Sequence, residues 1–65
     1  MSLVEQVLRR EGFEAEGVPE TIKSLIETAL KAGVKPSEIR IVRPTPRDPL
    51  LIIRGKVVAS WTALR

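Results

Sequence analysis

The stretch IRIVRPTPRDPLLIIRGKVVASW, residues 39–61, decides the fold. Its opening, Ile39 to Arg43, alternates apolar and charged residues and is rich in β-branched side chains, the pattern of a strand over about 39–43. The next six residues, PTPRDP, cannot continue it, because each proline removes a ladder donor. Two further strands follow, about 50–54 and 57–62. They are joined at Arg54-Gly55-Lys56, where Gly55 supplies the positive φ of a tight hairpin. Short connections between consecutive strands predict an antiparallel meander.

Upstream the period is helical. Ser2 with Glu5 three residues later forms a capping-box pattern, and Leu3, Val4, Val7 and Leu8 make one apolar stripe. Gly12 fits the left-handed residue that ends a helix, so the first helix is expected over about 3–11, with Phe13 folding back onto Leu8. A second helix, about 19–32, takes Pro19 as its first residue and buries Ile22, Leu25, Ile26, Ala29 and Leu30. Gly33 and Pro36 stop it. The chain therefore reads as a single small α+β domain, residues 1–65, with two N-terminal helices packed on one face of a C-terminal three-stranded antiparallel meander.

The two later strands are apolar on both faces. Leu50 to Ile53 run without a polar residue, and Val57 and Val58 are adjacent. A sheet with one wet face should alternate. The helices can cover one face, and an uncovered aliphatic strand pair is an aggregation hazard. Self-association through the second face answers both points, so a homo-oligomer is expected, with a two-fold dimer the simplest form. The residues assigned to that interface are Leu51, Ile53, Val58 and Trp61. Burying each such side chain contributes about 1.5–3 kcal/mol. That matters to a domain whose size buries only about 60% of its unfolded surface.

Composition removes much chemistry. With no cysteine and no histidine in 65 residues, there are no disulfides, no thiolate or imidazole metal ligands and none of the usual catalytic triads. The glycines are scattered as caps and turns and do not form a phosphate loop. Glu11, Glu14, Glu16 and Glu20 read as solvated acids around the inter-helix loop, where they complement a helix dipole. The expectation is a non-enzymatic protein with no cofactor and no metal. Absent asparagine, prolines in the connections and 29% charged residues resemble the composition of proteins from hot environments. The N-terminus lacks the basic-then-apolar order of a signal peptide, and the longest aliphatic run, LLII, is far too short for a bilayer. The chain thus reads as a complete cytoplasmic protein with no membrane partner.

Charge is divided unevenly. Residues 1–34 hold four basic and six acidic side chains. Residues 35–65 hold seven basic (Lys35, Arg40, Arg43, Arg47, Arg54, Lys56 and Arg65) against Glu38 and Asp48. Such asymmetry points to an anionic partner, and five of the seven are arginine, which grips phosphate bidentately. Nucleic-acid backbone, contacted by Arg40, Arg43, Arg47, Arg54 and Lys56 without sequence readout, is the leading expectation. The second helix is too balanced in charge for a groove reader, and one Phe and one Trp are too few for an aromatic RNA-binding sheet. Edge charges that merely keep the sheet soluble are the plainer reading. The other functional reading is a protein–protein adaptor or inhibitor that docks through the apolar hairpin, with the arginines as its rim. Trp61 is expected as a packing anchor, with base stacking as its alternative, and Asp48 as a residue that bonds the backbone of its own turn.

Overall fold

The computed structural model describes residues 2–62. Helix α1 spans Leu3–Arg10 and opens with the reciprocal capping box: the Glu5 N–H donates to Ser2 Oγ, and the Ser2 N–H donates to Glu5 Oε1. It closes at Gly12, φ +87°, where the Phe13 N–H reaches the Leu8 carbonyl at 2.8 Å and the Gly12 N–H reaches that of Arg9. Helix α2, Glu20–Lys31, ends in the same way at Gly33, φ +97°, with the Val34 N–H on the Ala29 carbonyl. This paired closure satisfies carbonyls that a helix end otherwise leaves open. Pro19 stands one step earlier than expected. Its ψ of 143° is extended, so it caps α2 from outside while its carbonyl accepts the first helical bonds from Ile22 and Lys23.

A 3-10 turn, Pro36–Glu38, leads into the sheet. Strands β1 (Ile39–Val42), β2 (Leu50–Ile53) and β3 (Lys56–Ser60) form an antiparallel meander in the order β1-β2-β3. The helices cover one face. Val7, Leu8, Val18, Ile22 and Ile26 from the helical half meet Ile39, Ile41, Leu51 and Ala59 from the sheet in one buried cluster, with Ile53 and Trp61 packed against it. Register explains which strand residues join. Ile39 pairs with Ile53 and Ile41 with Leu51, which leaves Arg40, Val42, Leu50 and Ile52 for the other face.

Strand β3 departs from simple alternation. Its pairing shifts between Leu51–Ala59 and Ile52–Val57, so Val58 is an extra residue in a bulge. Both valines are consequently exposed, Val57 at 60% and Val58 at 47%, although they are neighbours in sequence. This corrects the expected interface. Leu51 is fully buried under the helices, and Ile53 and Trp61 pack on that same side; of the four assigned residues only Val58 is exposed. Register puts Val42 and Val57 on the uncovered face as exposed apolar residues, and Val58 is exposed beside them at the bulge.

The β2–β3 turn has two residues, and both have positive φ: Arg54 at +53° and Gly55 at +80°. Two-residue hairpins favour this combination because it matches strand twist, with Asn-Gly as the preferred pair. Arg54 bears the cost of a left-handed conformation, about 1 kcal/mol for a residue with a Cβ. Arg54→Asn is therefore expected to raise stability by about 0.5–1 kcal/mol, since asparagine tolerates that region. The exposed contact that Arg54 makes with Glu38 offsets little of this gain. Urea titration of the two proteins checks it.

Candidate nucleic-acid interface

The five basic side chains expected to meet an anion occupy different surroundings. Register places Val42, Leu50 and Ser60 at one end of the sheet and Ile39, Ile53 and Lys56 at the other. Arg43 and Arg47 thus belong to the connection at the first end, Arg54 and Lys56 to the second. Arg40 extends from the middle of β1 on the uncovered face. Arg65 lies outside the described residues.

Two of the five are held by carboxylates. Arg54 Nε lies 3.4 Å from Glu38 Oε2, and Arg40 Nε lies 3.6 Å from Glu11 Oε1. Glu11 was expected to be solvated, and its side chain is only 8% exposed. It sits at the end of α1 against the outer edge of β1. There its Oε1 accepts the Ile41 N–H at 3.0 Å and its Oε2 accepts Arg10 Nε at 3.0 Å. Arg10 then donates to the carbonyls of Pro36, at 2.8 Å, and Ile39. The Ile39 carbonyl and the Ile41 N–H are the groups that one residue of a neighbouring parallel strand would bond. The Arg10–Glu11 pair takes that place, so side chains of a helix end close the β1 edge. Nothing in the local sequence marks this pair, since an arginine and a glutamate in the last helical turn look like surface residues.

Burial alone would raise the Glu11 carboxyl. The Ile41 N–H, the Arg10 hydrogen bond and the charges of Arg10 and Arg40 outweigh it and hold the group below the usual carboxylate range. Three further carboxyls, none of them buried, are lowered too: Glu5 by the Ser2 backbone and hydroxyl, Glu38 by the Lys35 N–H and then Arg54, Asp48 by the Thr62 N–H and then the Thr62 and Ser60 side chains. All four have folded pKa values below their unfolded ones, so the folded state binds fewer protons in acid. Their stabilisation is complete above the unfolded values, about 4, and is lost as pH falls through the lowered folded values. Melting temperature is expected to stay level from neutral pH to about 5 and to fall progressively below about 4. With no histidine in the chain, no step should occur between them. Thermal melts across that range provide the check.

The loop end is built differently. The Arg43 guanidinium carbon lies 4.3 Å from the centre of the Phe13 ring, and no ion pair holds it among the described residues. Phe13 in turn meets Trp61, ring centres 5.4 Å apart and tilted by 39°. Trp61 is therefore a packing residue, tied down further by its N–H on the Pro49 carbonyl. Asp48 does not bond the backbone of its own turn through its side chain. Its Oδ1 accepts the Thr62 N–H at 3.1 Å, which ties the loop to the far end of β3. Arg47 is exposed beside it and has no carboxylate partner among the described residues. Phe13, Arg43, Pro46 and Pro49 together line a cavity of about 450 Å³.

Neither clustered metal ligands nor a helix long and apolar enough to cross a membrane occurs among the described residues. Comparison with known protein families, with curated proteins and with solved structures finds no match.

Proposed function

We propose that this chain is a small non-enzymatic binding module that grips nucleic-acid backbone through the β1–β2 loop. Arg43 and Arg47 supply the charge, and sequence is not read. One observation carries the reading. Arg43 is fixed over Phe13 with its donors unclaimed by any carboxylate among the described residues, whereas Arg40 and Arg54 already face glutamates. A cation oriented by an aromatic ring and left without an anion is prepared for phosphate. Two contacts at one end make a modest site. Titration of labelled duplex and single strand at about 50 and 200 mM salt should show affinity falling about 12-fold and about 7-fold respectively, the consequence of slopes near −1.8 and −1.4. Absence of binding at the lower salt, or binding indifferent to salt, rejects the proposal.

The exposed valines of the uncovered face favour a second reading, self-association. Val42 is 41% exposed, it shares that face with Val57, and Val58 is exposed at the bulge next to them. Three partly exposed valines fall well short of the roughly 800 Å² per partner in a stable interface. The dimer on this reading is weak and concentration-dependent. Sedimentation that shows only monomer up to millimolar concentration removes it.

A further inference from the structure

The cavity beside Arg43 has the walls of a stacking site. The Arg43 guanidinium, resting over the Phe13 ring, contributes a planar surface, and Pro46 and Pro49 contribute rigid apolar ones. Its volume, about 450 Å³, falls within the range of small-ligand sites. The surroundings hold these walls still. Pro49 is buried and its carbonyl is bonded by Trp61; Asp48 bonds the Thr62 N–H; and the Phe13 ring rests against Trp61. Two prolines within four residues stiffen the loop further. Phosphate alone requires none of this. An anion site is satisfied by donors, and a surface loop carrying two arginines would serve without an aromatic wall or prolines.

We infer that this cavity takes one unpaired base of a single-stranded nucleic acid, stacked on the outer face of the Arg43 guanidinium that Phe13 backs and walled by Pro46 and Pro49, while Arg43 and Arg47 hold the adjoining phosphates. The inference rests on the backbone-binding proposal and narrows its ligand. Bases in a duplex are stacked on one another and cannot enter such a site, while the bases of a single strand have free π-faces that stack on aromatic rings and on arginine. Stacking of this kind tolerates any base. That agrees with a cavity whose lining has no side-chain amide, hydroxyl or carboxylate to read a base edge.

The single tryptophan, Trp61, packs on Phe13 and reports the site by its fluorescence. The test compares a thymine octamer with an abasic octamer of the same backbone at about 50 mM salt. The thymine strand is expected to bind about 5- to 150-fold more tightly, the usual worth of one stacked base, and to change Trp61 emission. Arg43→Lys keeps the charge and removes the planar group. It should retain salt-dependent binding and lose most of the preference for thymine over the abasic strand. Equal, salt-sensitive binding of both strands overturns the inference and leaves the backbone proposal standing. Full preference retained in Arg43→Lys, with its fold confirmed by circular dichroism, overturns the role given to Arg43. Failure of both strands to bind defeats the backbone proposal and the inference with it.

Discussion

Leu51→Ala is expected to cost about 2–5 kcal/mol of folding stability, enough to abolish a cooperative unfolding transition in this chain. Leu51 lies in the central strand, is fully buried, and pairs with Ile41 on one side and Ala59 on the other. Truncation removes its contacts with the helical half of the core and leaves a cavity that two helices packed on one face of a three-stranded sheet cannot close. Domains below about 70 residues rarely have more than 3–5 kcal/mol in total, so the variant should be largely unfolded in water. Val58→Ala is the paired control. Val58 is half-exposed at the bulge, and its truncation should cost less than about 1 kcal/mol. Urea titrations of the three proteins measure both values. A folded Leu51→Ala beside an unfolded Val58→Ala would mean that the helices cover the opposite face of the sheet.

Glu11→Ala is expected to cost about 2–4 kcal/mol, slightly less than the loss of one partner from a fully buried ion pair. The carboxylate is 8% exposed, but Arg10 and Arg40 are 40% and 66% exposed and can hydrate once it is gone. The Ile41 N–H loses its only described acceptor on the β1 edge. Glu11→Gln keeps an acceptor for that N–H and discards only the charge, so it should recover about half of the loss. A second consequence is independent of stability. With Glu11 absent, Arg10 loses the partner on its Nε and the β1 edge is open to another chain. Light scattering on Glu11→Ala should therefore show association at concentrations where the parent does not associate. An alanine variant as stable and as dispersed as the parent would remove the edge-closing role.

The fold class was legible because the sequence changes period where the architecture changes. Apolar spacing of three and four with two glycine stops gives way at Ile39 to alternation, prolines and a hairpin glycine. The faces of the sheet were less legible. Four consecutive aliphatic residues, Leu50 to Ile53, have no alternation from which to read parity, and a shift of one residue exchanges the faces. Sequence alone therefore allows Leu51 and Ile53 to face an interface, whereas they lie under the helices. The bulge at Val58 reverses parity again within β3, and no residue type announces it.

The candidate site shows the same limit. Loop arginines could be seen in the sequence, but which of them already face a carboxylate depends on contacts across 16 residues, for Arg54 and Glu38, or from helix to strand, for Arg40 and Glu11. The contact between Arg43 and Phe13 joins residues from opposite halves of the chain, and it requires both the helix closure at Gly12 and the end of β1 to be in place. Spacing carries no signal for either. Asp48 was recognised as a loop-forming residue, but its partner, the Thr62 N–H, comes from the end of β3.

On the proposed function, the loop end of the sheet, and not the basic half as a whole, meets the nucleic acid. Two double variants separate these possibilities: Arg43→Ala with Arg47→Ala, and Arg54→Ala with Lys56→Ala. Each removes two positive charges, so a response to net charge alone would be the same in both. At about 50 mM salt, affinity for a single strand is expected to fall by at least tenfold in the loop variant and by less than about twofold in the hairpin variant. Equal losses, or a larger loss in the hairpin variant, would contradict the assignment.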